Sequence, residues 1–332
     1  MRISVIGVGA VGGALAALLD RAGHEVVAVA RGATAAAIAA DGLRLRGRLG
    51  ERTARLEVAD SPAPGSDLVI VAVRTFQLDG AIAPHAAAIG AAPVCIAQNG
   101  LAGPARAAAL LDRPGGRGVL GGLALFPATN AGPGEVLLTG RGGLRLGAAH
   151  PADLPLARRL AAELSAALPT SATANLTGAL WMKLLVNHVN ALPAITGTSV
   201  QASCAHPRLR GLLADSLAET VRVADALGVR FEGVGALQPG HAAAIRAGRA
   251  EEVVAARLGR VFGVRPNPAS TLQSLRRGQQ TEIDDLNGTT VRAAAALRLP
   301  APVNARLVAL VHEVGRRGRF LRPAAVAERF AR

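Results

Sequence analysis

The chain has 332 residues and a formal charge of +14, from 37 basic against 23 acidic side chains, yet only one basic residue is a lysine, Lys183. Tyrosine is absent and aromatic residues make up 2 % of the sequence. These counts exclude a tyrosine-dependent short-chain dehydrogenase, leave a single candidate for any chemistry that needs a lysine amine, and leave few rings on which nucleic-acid bases could stack. Two cysteines, Cys95 and Cys204, exclude both a disulfide framework and a thiolate metal cage, and such sparse usage fits a reducing cytoplasm. The arginines are scattered, apart from small groups at Arg44, Arg46 and Arg48, at Arg276 and Arg277, and at Arg316, Arg317, Arg319 and Arg322. The charge therefore reads as a compositional excess of arginine. No nucleic-acid partner, metal or membrane span is expected, and the length suggests two domains.

From the N-terminus, Ile3 to Ile6 is β-rich and leads into Gly7, Gly9 and Gly12 at G-x-G-x-x-G spacing. Ala10 to Arg21 has helical character, Gly23 stops it, and Glu25 to Ala30 is a second apolar strand. A secretory signal is the competing reading of this segment, but the strand–turn–helix–strand context favours a dinucleotide-binding unit. In such a unit Gly7 permits the tight turn, Gly9 lets the backbone approach a pyrophosphate, and Gly12 allows close helix–strand packing, with Ala10 and Val11 opening the helix beneath the phosphates. An NAD-specific protein places an acidic residue at the end of the second strand. This chain has Arg31 there, which suits the 2′-phosphate of NADP(H).

Further on, Asp67 to Val73 reads as a buried parallel strand, Leu78 to Ile89 as a helix, and Pro93 to Ala97 as a strand ending in Gln98-Asn99-Gly100. Val119 to Pro127, Gly134 to Thr139 and Gly143 to Leu146 read as antiparallel strands that finish the same sheet, followed by a helix over Asp153 to Leu168. Beyond about residue 172 the pattern is helical throughout: Leu176 to Leu192, Pro207 to Leu227, Gly240 to Ala247, Thr271 to Arg277, Glu282 to Leu297 and Val303 to Arg317. The expected architecture is an α/β Rossmann-type domain over 1–171, an all-α substrate and catalytic domain over 172–318, and a basic tail over 319–332 without chemistry of its own.

The lysine lies in Trp181-Met182-Lys183-Leu184-Leu185-Val186-Asn187-His188-Val189-Asn190. At about 100° per residue, Asn187 falls about 40° and Asn190 about 20° from Lys183, giving one polar stripe on an otherwise apolar helix. His188 points about 140° away and is left out of the chemistry. Arginine cannot replace an ammonium that must give up a proton, so the one lysine retained in an arginine-rich chain marks a candidate general acid. Ser270 with Gln273 matches a helix capping box, and Glu282 reads equally as a favourable charge in a first helical turn. Composition does not separate those structural roles from roles at a site.

Taken together, Gly7-Val8-Gly9-Ala10-Val11-Gly12, Arg31, Gln98-Asn99-Gly100, Lys183 with Asn187, and Ser270 with Thr281-Glu282-Ile283-Asp284 resemble the ketopantoate reductase (2-dehydropantoate 2-reductase) family in order and approximate spacing, from Met1 to about Arg317. The resemblance implies a cytoplasmic, NADPH-dependent reduction of ketopantoate to pantoate, a step of pantothenate and coenzyme A biosynthesis. It implies Lys183 as general acid, Glu282 as the residue that orients it, and Asn99, Asn187, Asn190 and Ser270 as substrate contacts. Gly7, Gly9, Ala10, Val11, Gly12, Arg31, Arg74, Gln77 and Asn99 would serve the cofactor, and a homodimer is possible. Two departures stand out. Arg74 occupies a position where the family commonly has lysine, and the family's second helix amide usually falls eight residues after the lysine, where this chain has Ala191. Asn190 is one place early. The alternatives are a paralogous reductase of another 2-keto acid or imine, and a non-enzymatic NADP(H)-binding sensor. Retention of Lys183 and Glu282 speaks against the sensor.

Overall fold

The first strand, β1 (Arg2–Ile6), enters the interior because all but its first residue are buried. Its one polar member beyond that residue, Ser4, is satisfied there: its hydroxyl pairs with that of Ser66 at 2.9 Å and accepts the N–H of Ala63. The computed structural model describes residues 1–48, 50–235, 237–258 and 266–330. The chain divides into two units, Met1–Leu176 and Thr177–Arg332.

In the first unit β1 is followed by the Ala10–Arg21 helix, β2 (Glu25–Val29), the Gly32–Asp41 helix, β3 (Leu43–Gly47), β4 (Arg52–Ala54), β5 (Glu57–Ala59) and β6 (Leu68–Val71). Then come β7 (Val94–Ile96), β8 (Val119–Ala124), β9 (Ala128–Gly132), β10 (Glu135–Leu138), β11 (Leu144–Ala148) and β12 (Thr170–Thr173). Eight strands form the main sheet in the order β12-β11-β8-β7-β6-β1-β2-β5. The strands from β8 to β5 are parallel, while β11 runs antiparallel to β8. From β1 the chain first builds outward through β2 and then returns to add β6 on the other side. The carboxyl end of β1 is thus a topological switch point, where crevices for ligands open in sheets of this kind. Apolar layers cover both faces, one including Ile3, Leu15 and Leu120, the other Val69, Ile82 and Val119.

Several local expectations change. The Gly134–Thr139 strand does not finish the main sheet: β10 belongs to a separate four-stranded sheet, β4-β3-β10-β9, where its buried Val136 and Leu138 join the core that holds the Ala10–Arg21 helix. Alternating burial identifies such a strand but not its partner. The expected connection at Pro169-Thr170-Ser171 is instead mostly strand, β12, whose small polar residues carry no hydrophobic signal. The expected 78–89 helix is broken into Leu78–Ile82, a 3₁₀ turn at Ala83–His85 containing Pro84, and Ala86–Ile89, as a proline inside a helix requires.

The second unit is all helical apart from one isolated β-bridge among the described residues. Met182, Leu185, Leu213, Leu217, Val221, Leu307 and Leu310 form part of its interior. Here too the boundaries move. The expected 176–192 helix ends at Asn187, passes through a 3₁₀ turn at His188–Asn190, and resumes as Ala191–Thr196. The helix expected from Glu282 begins only at Asn287, because the backbone leaves helical geometry at Leu286 (φ −99°, ψ −101°), so the turn that starts at Glu282, with the Asp285 and Leu286 N–H groups on its carbonyl, does not run on into it. The expected inert tail forms a Pro323–Phe330 helix with Val326 buried, tied down where the Leu321 N–H donates to the Ile195 carbonyl. The last two residues of that tail, Ala331 and Arg332, lie outside the described residues. Among the described residues no helix is long and apolar enough to cross a membrane.

Candidate active site

In the first unit, the glycine turn is built as its spacing requires. Gly7 has φ +89°, and a Cβ there would lie 2.5 Å from Val73 Cγ1. A Cβ on Gly12 would overlap the Gly7 carbonyl, so these two positions are closed to other residues. Gly9 is different: a Cβ there meets nothing within 4 Å. It leaves open space before the Ala10–Arg21 helix, whose N-terminus has no side-chain cap. An uncapped helix start behind an open glycine fits the pyrophosphate of a dinucleotide, which would accept the exposed N–H groups and sit at the positive end of the helix.

The other residues assigned to the cofactor lie beyond neighbouring strand ends. Arg31 follows β2 and is exposed, with its guanidinium 3.3 Å from His85 Nε2. Arg74 follows β6, and its backbone N–H donates to Gln77 Oε1 at 3.2 Å, so Gln77 closes the short turn that Arg74 begins. Gln98, named in the sequence only as part of the Gln98-Asn99-Gly100 block, ties these loops together. Its amide donates to the carbonyls of Val73 at 2.8 Å and Arg74 at 3.0 Å, fixing the end of β7 against the end of β6. The half-buried Asn99 comes next, at the carboxyl end of β7.

In the second unit the polar stripe is present. Lys183 is half-buried, and desolvation pulls its pKa down to about 8 against the opposing pull of the Glu282 carboxylate. Glu282 is 4 % exposed and is held in the turn described above rather than in a helix. Asn187 ends the helix one turn after Lys183. The following 3₁₀ turn then alters the geometry: in 3₁₀ backbone, residues three apart eclipse, so Asn190 stands directly over Asn187. Asn190 Nδ2 donates to the Asn187 carbonyl at 2.8 Å.

Asn190 also reaches Ser270. Its Oδ1 accepts the Ser270 N–H at 2.9 Å and the Ser270 hydroxyl at 3.0 Å. Both partners of the amide include backbone groups of fixed polarity, so its orientation is unambiguous. The capping box expected from Ser270 and Gln273 does not form. The helix runs Ala269–Arg276 without a cap from its own first residues, and Asn190 together with Asn267, which accepts the Ala269 N–H, supplies the acceptors instead. Lys183, Asn187, Asn190, Ser270 and Glu282 thus belong to the second unit, whereas Asn99 belongs to the first.

His188 faces away from this cluster, fully buried and held near pKa 3 by desolvation. It pairs with Ser216 at 2.7 Å and Thr220 at 3.3 Å, in a network that continues to Asn304 and Glu219. Glu219 caps the Pro302–Arg317 helix by accepting the N–H groups of Val303 and Asn304. Both cysteines are buried, and burial pushes Cys95 up to about 12 and Cys204 to about 11, so neither offers a thiolate. Among the described residues no group of three or more His, Cys, Asp and Glu side chains is placed to hold a metal ion.

Known proteins match this arrangement along nearly its whole length. Residues 3–151 match the family described as ketopantoate reductase PanE/ApbA, and residues 175–315 match its C-terminal domain. A 2-dehydropantoate 2-reductase from Halobacterium salinarum is 30 % identical over 327 residues, covering 96 % of this chain and 100 % of that protein. One from Pyrococcus horikoshii is 27 % identical, covering 94 % and 96 %. The crystal structure of a PanE/ApbA family ketopantoate reductase from Ralstonia eutropha superposes with a TM-score of 0.77 at 30 % identity, covering 96 % of this chain and 99 % of that one. D-mandelate dehydrogenase, in its ternary structure with NADH and anilino(oxo)acetate, shares the fold at 22 % identity with a TM-score of 0.81, covering 96 % and 99 %. Fold and relatives define an oxidoreductase with a dinucleotide-binding N-terminal domain and a helical C-terminal domain. The chain belongs to the ketopantoate reductase family.

Proposed function

We propose that this protein reduces 2-dehydropantoate to pantoate with NADPH, the reductive step toward pantothenate and coenzyme A. Residues 1–171 would bind the cofactor and 172–318 the keto acid. The observation that carries the reading is Lys183, an ammonium brought down to about 8 by burial beside the carboxylate of Glu282. NADPH, when bound, supplies the hydride. Reduction of a ketone leaves negative charge on its oxygen, and an ammonium in a desolvated setting both stabilises that charge and gives up its proton readily. Glu282 keeps the amine charged near neutral pH and holds it in place. Asn187 supplies an amide donor for the substrate's carboxylate and Ser270, whose hydroxyl proton goes to Asn190, an acceptor for its hydroxyl, with Asn99 as a further substrate contact. Arg31, at the end of β2 where an acidic residue would repel a phosphate, supports NADPH over NADH.

A second reading, reduction of a different 2-keto acid, draws support from the Asn190–Ser270 pair. The Ser270 hydroxyl hydrogen is already engaged by Asn190, so the polar groups offered to a carboxylate differ from a pocket in which both side chains are free.

Both readings are tested by following NADPH oxidation with ketopantoate and with a panel of other 2-keto acids. Highest kcat/KM on ketopantoate is expected. A higher value on another keto acid would select the second reading, and no turnover on any of them would leave a cofactor-binding sensor.

A further inference from the structure

Arg31 and His85 meet across β1. Arg31 stands just beyond β2, His85 closes the Ala83–His85 turn that comes after β6, and β1 lies between β2 and β6 in the sheet. One guanidinium nitrogen of Arg31 lies 3.3 Å from His85 Nε2. A guanidinium only donates, so Nε2 is the acceptor and the ring proton sits on Nδ1. The imidazole is 6 % exposed, whereas Arg31 is exposed. Desolvation first, and the Arg31 charge second, lower the His85 pKa and keep the ring in the neutral form that can accept. A buried acceptor therefore holds one N–H of a surface arginine and leaves its other N–H donors available.

We propose that His85 is a positioning residue for cofactor selectivity, holding the Arg31 guanidinium where it receives the 2′-phosphate of NADP(H). This rests on the reading of Arg31 given above. An unrestrained arginine gives up rotamer freedom when it is fixed on a ligand. An arginine already held by a neighbour loses less, and the difference appears as affinity. The gain is confined to the dinucleotide that carries the phosphate, because NAD(H) offers this guanidinium no such partner. Nothing in the local sequence signals the pairing, since His85 lies 54 residues from Arg31.

The test measures binding rather than turnover: calorimetric dissociation constants for NADP⁺ and NAD⁺ on the full-length wild type, His85→Leu, His85→Gln, Arg31→Ala and the Arg31→Ala/His85→Leu double variant. Leucine keeps the bulk of the ring without an acceptor, whereas glutamine keeps an acceptor oxygen; melting temperatures verify that each variant folds. His85→Leu is expected to weaken NADP⁺ by about 3- to 10-fold, the scale of one hydrogen bond, with NAD⁺ changed by no more than about 2-fold. His85→Gln should recover most of the loss, and His85→Leu should have no further effect once Arg31 is gone. Equal weakening of both dinucleotides by His85→Leu, or no weakening while Arg31→Ala selectively loses NADP⁺, would overturn the role of His85 and leave that of Arg31 standing. If Arg31→Ala shows no selective loss either, the reading of Arg31 falls and this inference falls with it.

Discussion

The side-chain oxygen of Asn190 accepts both the backbone N–H and the hydroxyl of Ser270, at 2.9 and 3.0 Å. One carboxamide thus caps a helix through a residue 80 positions later in the chain and at the same time orients a candidate substrate contact. The bond brings an amide that stands one residue early against Ser270. The 3₁₀ turn at His188–Asn190 advances the backbone by a full revolution in three residues, placing Asn190 in line with Asn187.

Asn190→Ala should therefore harm both stability and substrate binding. The N–H of Ser270 loses its acceptor, which costs about 1–2 kcal/mol for a helix cap, and the hydroxyl becomes free to rotate. Urea unfolding should show the loss of stability. Steady-state kinetics should show KM for the keto acid raised by about 10-fold, the scale of one well-made polar contact, with KM for NADPH unchanged. A normal KM in a measurably destabilised variant would mean that Asn190 serves the helix alone.

Lys183→Ala is expected to lower turnover by about 10²- to 10⁴-fold, the usual contribution of a positioned acid, while NADPH still binds. Lys183→Arg should be nearly as inactive, because the guanidinium keeps the charge but does not surrender a proton in the accessible pH range. Fluorescence titration of NADPH alongside single-turnover reduction separates binding from chemistry. A Lys183→Arg variant with wild-type turnover would show that charge alone suffices and that the proton comes from elsewhere.

The pH profile follows from the same lysine. With Lys183 as the proposed acid, reduction draws on the protonated amine, so kcat/KM should be level at neutral pH and fall as pH rises through about 8. Glu282 raises the lysine pKa by its negative charge, opposing the larger lowering by burial. Glu282→Gln removes the raising influence and should move the alkaline fall to lower pH, besides reducing the maximum. A shift in the opposite direction would contradict the electrostatic relationship between the two residues.

Stability should depend on pH in the complementary way. Lys183 binds its proton more weakly in the folded chain, at about 8, than in the unfolded chain, at its ordinary value of 10.5. Below pH 8 both states are protonated and the folded state carries the full cost of the buried charge. Between about 8 and 10.5 the unfolded state holds more protons, so this cost is relieved as pH rises. Lys183→Met should be more stable than the wild type at pH 7, by an amount on the order of 1–3 kcal/mol, and the advantage should shrink by about pH 10. Chemical denaturation of both proteins across that range reads the difference directly, and a constant difference would show that the ammonium is solvated in the folded state.

The sequence made visible those parts of the molecule in which a residue acts on its near neighbours. The Gly7–Gly12 turn, the first strand and helix, the position of Arg31 at a strand end, and the shared face of Lys183 and Asn187 all depend on spacing within one element. What it concealed depends on partners far along the chain. Ser270 and Gln273 fit a capping box locally, but Asn190 supplies the acceptor. Val136 and Leu138 alternate like any half-buried strand, yet pair in the smaller sheet. Gln98 and His85 carry no local pattern for the bonds that they make to Val73, Arg74 and Arg31. His188, without a role on the face opposite Lys183, joins a buried network that braces the same helix from behind.

Two alanine substitutions in the glycine turn should separate fold from function. At Gly12 a Cβ would overlap the Gly7 carbonyl and approach Ala72 Cβ at 3.0 Å. The helix cannot retreat without opening its packing against β1, so Gly12→Ala should destabilise the whole first unit by about 1–3 kcal/mol and lower the melting temperature even without ligand. At Gly9 the added methyl meets no protein atom within 4 Å, so Gly9→Ala should melt close to the wild type. The same methyl would occupy the space through which a pyrophosphate reaches the helix N-terminus, and affinity for NADPH and NADH should fall alike, by about 10-fold or more. Thermal melts and dinucleotide titrations on the two variants provide the comparison. A Gly9→Ala protein that binds both dinucleotides normally would move the phosphate site away from this turn.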